Sequence, residues 1–180
     1  WELPRRVTPT IFNQEEAVNE VELSINESIK KQMISDVPLG VFLSGGIDST
    51  LISLLAKKNT NNALKSFTIG SNSRIHDESE NARENAKKIG LSFEIGIMNS
   101  TIAKNKIDQI GSSITEPFAD LSLIPTYYVS NMAKKNVTVI LSGDGADELF
   151  FGYDRFSSIV KNFRIQKYPY WLKYFIYGFD

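Results

Sequence analysis

Val37-Pro38-Leu39-Gly40-Val41-Phe42-Leu43-Ser44-Gly45-Gly46-Ile47-Asp48-Ser49 changes character twice, and the two changes decide the fold. From Val37 to Leu43 the chain is apolar and β-branched, as in a short strand buried on both faces. At Ser44-Gly45-Gly46 two glycines permit positive φ and close approach of the backbone. From Ser49 to Lys58 the leucines at 51, 54 and 55 return at helical spacing. Strand, glycine turn and helix are predicted in that order, the repeating element of a parallel α/β sheet.

The same alternation extends outward. Upstream, Asn13-Gln14-Glu15-Glu16 reads as a capping box, and Val18, Val21, Ile25, Ile29 and Met33 follow at helical spacing up to Pro38. Downstream, strands are predicted over Leu64–Gly70, Ser92–Ile97 and Val137–Leu141. Helices are predicted over Glu78–Gly90, Ile102–Ser112 and, after the loop Glu116-Pro117-Phe118-Ala119-Asp120, about Leu123–Lys135, with Pro125 in its first turn. The fold class is therefore α/β, an open parallel sheet with helices on both faces. The expected strand order is 3-2-1-4, a layout that right-handed crossovers permit and that makes the first and fourth strands neighbours. Ligands of such sheets bind beyond the carboxyl ends of the strands where the order reverses. Segments 44–49 and 142–148 follow strands one and four, so both are expected to line one crevice.

Composition narrows the function. The 42% hydrophobic content over 180 residues is enough for a globular core. A net charge of -1 with scattered Lys and Arg offers no field for a nucleic-acid backbone, so no nucleic-acid partner is expected. No apolar run reaches the ~20 residues of a membrane helix, so no membrane is expected either. The aromatic stretch Tyr168–Phe179 reads as apolar surface for a neighbouring domain or helix. Cysteine is absent, which excludes disulfides and a thiol nucleophile and fits a reducing cytoplasm. The single His76 cannot build a histidine metal site and reads as solvated.

Ser44-Gly45-Gly46-Ile47-Asp48-Ser49 has the properties of a pyrophosphate cradle: glycines, hydroxyls at both ends, and a helix N-terminus carrying roughly half a positive charge. The Gly-Lys-Ser/Thr of a Walker loop is missing. Taken alone, the glycine pair is equally well a structural turn. Leu141-Ser142-Gly143-Asp144-Gly145-Ala146-Asp147-Glu148 crowds three carboxylates into a small-residue loop after a strand. Acids so placed repel unless a cation relieves them, and Asp48 with Asp147 would suit a magnesium ion that keeps its other positions for phosphate and water. The alternative is that Asp147 and Glu148 cap a helix.

These two motifs, SGGIDS after VPLGVFL and LSGDGADELFFGY about a hundred residues later, closely resemble the synthetase domain of glutamine-dependent asparagine synthetases, within the N-type ATP pyrophosphatases. The resemblance runs from Trp1-Glu2-Leu3 to about Phe156 and fades in the aromatic tail. It implies that Ser44, Gly45, Gly46 and Ser49 hold the β- and γ-phosphates of ATP, that Asp48 and Asp147 bind Mg2+, and that Leu43 and Ile69 hold adenine. Ser142 and Gly143 match a further nucleotide contact, and Asp144 stands where many of these enzymes carry a glutamate needed for acyl-adenylate formation. Catalysis thus falls to Asp48, Asp144 and Asp147, with Asp120 and Glu148 as candidate substrate contacts.

The implied reaction is adenylation of a carboxylate, most simply the side chain of aspartate, followed by attack of ammonia. Position 1 is Trp, where the glutaminases of this family use Cys. A glutaminase domain supplying ammonia is therefore expected before a linker at residues 1–13, the ATP-binding domain at 14–156, and a helical remainder beginning with 157–180. A homodimer is admitted. The chain by itself is expected to bind Mg-ATP weakly and turn over poorly. Two departures bear on specificity. Phe118-Ala119-Asp120-Leu121-Ser122 replaces an arginine-bearing threonine-rich stretch found in some members, and Asp120 either meets a substrate ammonium or caps the helix near Leu123. Phe93-Glu94-Ile95 stands where histidines are expected. Amidation of another carboxylate, such as a polysaccharide or secondary-metabolite precursor, and a nucleotide-binding module without turnover remain the alternatives.

Overall fold

The computed structural model describes residues 9–71, 77–116, 119–120 and 122–158. His76, Pro117, Phe118, Leu121, the opening Trp1-Glu2-Leu3 and the stretch Tyr168–Phe179 lie outside the described residues. The chain divides into two compact units, Trp1–Ser142 and Gly143–Asp180, each taken here by itself.

The first unit runs α1 (Gln14–Gln32), β1 (Leu39–Phe42), α2 (Ile47–Lys58), β2 (Lys65–Ser71), α3 (Ser79–Ile89), β3 (Ser92–Met98), α4 (Ser100–Gly111), α5 (Leu123–Ala133) and β4 (Val139–Leu141). All strand pairs are parallel, as the alternation predicts, and the order is the expected β3-β2-β1-β4.

Local chemistry sets the ends. Asn13 caps α1 by accepting the N–H groups of Glu15 and Glu16 at 2.8 and 3.2 Å. Asn99 accepts the Ile102 N–H at 2.9 Å, so α4 starts two residues before its first apolar position. Gly90, at φ 80°, closes α3 in the left-handed conformation. β1 begins at Leu39 rather than Val37, because Pro38 has no N–H to give the ladder; its carbonyl accepts Thr138 and Val139 instead. Val137 closes the last turn of α5 onto Ala133 O at 3.0 Å, which delays β4 to Val139.

Alternation along the strands splits the core. Val41, Leu43 and Leu141 pack with Ile29 of α1, Leu55 and Ala56 of α2, and Ala82 and Ala86 of α3. Phe67, Phe42 and Ile69 pack with Val129, Met132 and Ala133 of α5 on the other face. Helices therefore cover both faces. Glu94 on β3 pairs with Lys65 on β2, and Asn136 bonds to both. Among the described residues no helix is long and apolar enough to cross a membrane.

The second unit contains α6 (Ala146–Phe150), entered through Gly145 at φ 90° and left through Phe151 at φ 60°. Phe151 is the one positive-φ residue other than glycine among those described. Its ring packs edge-on against Phe156, with centroids 5.3 Å apart.

Candidate functional site

Leu43 continues β1 by one residue, donating its N–H to Phe67 O at 3.0 Å. The turn that follows is closed by its own hydroxyls. Ser49 Oγ accepts the Ser44 N–H at 3.1 Å and lies 2.9 Å from Ser44 Oγ, which accepts the Gly46 N–H at 3.3 Å. Gly45 has φ +92°, and a Cβ there would meet Glu78 O at 2.9 Å and Ala82 N at 3.1 Å, so the turn is pressed against the start of α3.

Gly46 differs in kind. Its φ of -70° suits any residue, and a Cβ would meet nothing nearer than Ser44 Oγ at 3.4 Å. It is the N-cap of α2, and no side chain caps that end. The first N–H groups of a helix have no acceptor within it and carry the positive end of the dipole. Those of Ile47, Asp48 and Ser49 therefore bound an open, amide-lined space of the kind that receives phosphate. Among the described residues, the half-buried Asp48 carboxylate in this first turn has neither ion-pair nor hydrogen-bond partner. A carboxylate beside an anion cradle is reconciled with it by a cation between them, so the donor set fits magnesium.

Beside the cradle a cavity of about 250 Å³ is lined by Phe42, Leu43, Ile69, Pro125 and Val129, with Ser44 and Glu78 at its polar side. Leu43 and Ile69, the expected adenine contacts, thus share one apolar slot that also reaches Ser44 of the glycine turn. A larger cavity of about 410 Å³ lies at the opposite, amino end of the strands, among Leu39, Lys65, Ser92 and Val137. Open α/β sheets bind at carboxyl ends, which favours the smaller cavity despite its size.

β4 pairs with β1 in the register Val41↔Leu141, so Ser142 leaves the sheet beside Phe42 at the same carboxyl edge. Leu43, Ser44, Gly45, Gly46, Asp48, Ser49, Ile69 and Ser142 therefore gather at one end of the first unit. Asp120 is exposed; its carboxylate accepts the Ser122 N–H at 2.8 Å, and hydrogen bonds from Ser122 hold it below its ordinary value of 3.8. That bond leads the chain into α5.

Gly143, Asp144, Asp147 and Glu148 belong to the second unit. Asp144 is exposed and Asp147 half-buried. Gly145 is the N-cap of α6 and no side chain caps the helix, so Asp147 and Glu148 act on that terminus at most through charge. Glu148 accepts the Tyr153 hydroxyl at 2.6 Å, which lowers its pKa and raises that of Tyr153. The Gly152 N–H returns to Asp147 O at 3.0 Å, and a Cβ at Gly152 would strike the Asp147 carboxylate. Among the described residues no group of three or more His, Cys, Asp or Glu forms a metal cluster. Magnesium here would draw most of its ligands from phosphate and water.

Sequence reasoning missed Glu78, Pro125 and Val129 of the cavity and Gly152 beside Asp147. Pro125 and Val129 were within reach, since their spacing of four puts both on one face of α5. Gly152 was visible only as one more glycine.

The strand order and its helices define the fold, adenine nucleotide alpha hydrolase-like. An NH3-dependent NAD synthetase from Campylobacter jejuni superposes with a TM-score of 0.53 at 20% identity, over 75% of this chain and 60% of its own. An NMN synthetase from Francisella tularensis gives 0.53 at 17%, over 75% and 58%. The sequence profile of the asparagine synthase family matches residues 20–176. The chain belongs to that family. It is 40% identical over 146 residues to asparagine synthetase [glutamine-hydrolyzing] 1 of Bacillus subtilis, covering 81% of this chain and 23% of that protein. It is 36% identical over 154 residues to a putative asparagine synthetase [glutamine-hydrolyzing] 2 of Methanocaldococcus jannaschii, covering 85% and 29%. The chain thus spans about a quarter of the length of the curated relatives it matches.

Proposed function

We propose that the chain is the ATP-using part of an enzyme that converts the side-chain carboxylate of aspartate to an amide, with glutamine-derived ammonia as nitrogen donor. What carries this reading is the uncapped, amide-lined turn at Gly46, open to a ligand and adjoining an apolar slot sized for a base. The family membership and the printed names of the relatives support it.

In the reaction, a carboxylate oxygen attacks the α-phosphorus of ATP, the bond to the β-phosphate bridging oxygen breaks, and pyrophosphate leaves. Ammonia then attacks the acyl carbon, loses a proton, and AMP departs. Leu43 and Ile69 hold the base. Ser44, Ser49 and the N–H groups of Ile47 and Asp48 hold the departing pyrophosphate as its charge grows. Asp48 and Asp147 are the residues that would hold magnesium, which when bound neutralises phosphate charge. Ser142 and Gly143 contact the nucleotide, and Asp144 aids adenylate formation. Asp120 and Glu148 orient the substrate.

The test is AMP formation by the complete gene product with ATP, ammonia and a panel of carboxylic acids. Aspartate should give equal AMP and asparagine, and Asp48→Asn should lower the rate on the order of 10²-fold. AMP formed with a different acid and none with aspartate would replace the substrate while keeping the chemistry. Unchanged turnover by Asp48→Asn refutes the metal assignment.

A further inference from the structure

The carbonyl of Gly46 is held unusually firmly. It accepts the Thr50 N–H at 3.2 Å, the Thr50 hydroxyl at 2.6 Å and the Ser49 hydroxyl at 3.3 Å. A trans peptide is planar, with C=O and the next N–H pointing opposite ways. Drawing the Gly46 oxygen into the helix therefore turns the Ile47 N–H outward, into the cradle. The Thr50 hydroxyl has one proton. Once that proton is given to Gly46 O, its lone pairs are left to accept.

Asn85 supplies what they accept. From α3, 35 positions away, its Nδ2 reaches Thr50 Oγ1 at 3.1 Å, and both side chains are part-buried. This donor prevents the hydroxyl from rotating its proton away from Gly46. The same helix presses Glu78 O and Ala82 N against Gly45, so α3 steadies the turn at two points.

We propose that Asn85 is a positioning residue for the phosphate cradle, acting through Thr50 and the Gly46 carbonyl to aim the Ile47 N–H at bound pyrophosphate. The inference rests on the reading of residues 44–49 as that cradle.

Magnesium pyrophosphate is titrated calorimetrically into the full chain, with the Ile47 amide followed by NMR and thermal unfolding measured in parallel. Asn85→Ala is expected to weaken binding about fivefold, the worth of one net hydrogen bond, and to shrink the Ile47 amide shift on binding. Thr50→Val should weaken it at least as much, and Thr50→Ser, which keeps the hydroxyl, should restore it. Because both residues act on one carbonyl, Asn85→Ala added to Thr50→Val should cost nothing further. Pyrophosphate affinity unchanged in Asn85→Ala, or losses that multiply in the double variant, overturns the proposal; a lowered melting temperature with unchanged affinity marks Asn85 as packing alone. If Asn85→Ala does not fold, the Thr50→Val and Thr50→Ser pair decides: equal affinity in the two overturns it. No binding by the unsubstituted chain overturns the cradle reading itself.

Discussion

Gly45 and Gly46 are neighbours with opposite reasons for lacking a side chain, and substituting each by alanine separates folding from ligand binding. Gly45→Ala places a Cβ on a residue at φ +92°, which costs about 1–2 kcal/mol. It also drives that atom to 2.9 Å from Glu78 O and 3.1 Å from Ala82 N, both backbone and unable to swing aside. Overpacking of this kind adds about 1–3 kcal/mol. The stiffer unfolded chain returns about 0.4–1 kcal/mol. The net loss is about 1–4.5 kcal/mol. Gly46→Ala meets only Ser44 Oγ at 3.4 Å, at an ordinary φ of -70°. Its gain in the unfolded state, about 0.4–1 kcal/mol, is offset by the poorer standing of alanine at an N-cap, so stability should stay within about 1 kcal/mol of the parent. On the proposed reading its methyl enters the space offered to phosphate, and affinity for magnesium pyrophosphate should fall about tenfold or more. Urea unfolding gives the first quantity and calorimetry the second. Equal stability of the two variants would refute the geometry of the turn, and full affinity in Gly46→Ala would refute its use as a cradle.

Ser53 is fully buried, and its hydroxyl has no partner among the described residues; Ser53→Ala should be neutral or stabilising by about 1 kcal/mol in urea unfolding, and a loss of that size would expose a missed hydrogen bond. The hydrogen bond from Tyr153 holds the Glu148 carboxyl below its ordinary 4.5, so the stability it lends is present above that pH and is lost as pH falls through the depressed value. Tyr153, held above 10.0 chiefly by the same bond, contributes below pH 10 and loses that contribution as pH rises through its raised value. In Tyr153→Phe the Glu148 carboxyl carbon, followed by NMR, should titrate closer to 4.5, and an unmoved midpoint would refute the coupling. Phe67 is wholly buried between β2 and α5, and Phe67→Ala should cost about 3–5 kcal/mol in the same unfolding assay; a cost under 1 kcal/mol would mean that face of the sheet is loosely packed.

The parallel α/β class was legible because β1 to β4 are short runs separated by helical periods, and the observed order is one of the few layouts that crossover handedness permits. The turn between β1 and α2 was legible for a related reason: two glycines between a strand and a helix mark where the backbone turns. Element ends were less so. Ser100 and Thr101 begin α4 through the Asn99 cap, which leaves no apolar trace in the sequence. Least legible were contacts made across the fold. Nothing local to Asn85 says that it meets Thr50, and nothing local to Glu78 says that it borders the cavity of Leu43 and Ile69. Those relations exist only after α3 has packed beside α2 and the sheet.

The register Val41↔Leu141 joins positions a hundred residues apart, whereas β1 meets β2 across a single helix. Closing so long a segment costs more chain entropy than closing the β1–β2 crossover, and a strand of three residues repays it. The edge beside Ser142 is thus joined to β1 across the longest stretch of chain between paired strands. A nucleotide bridging that edge and the Ser44 turn would act as a clasp, adding its own binding free energy to a seam of three residue pairs.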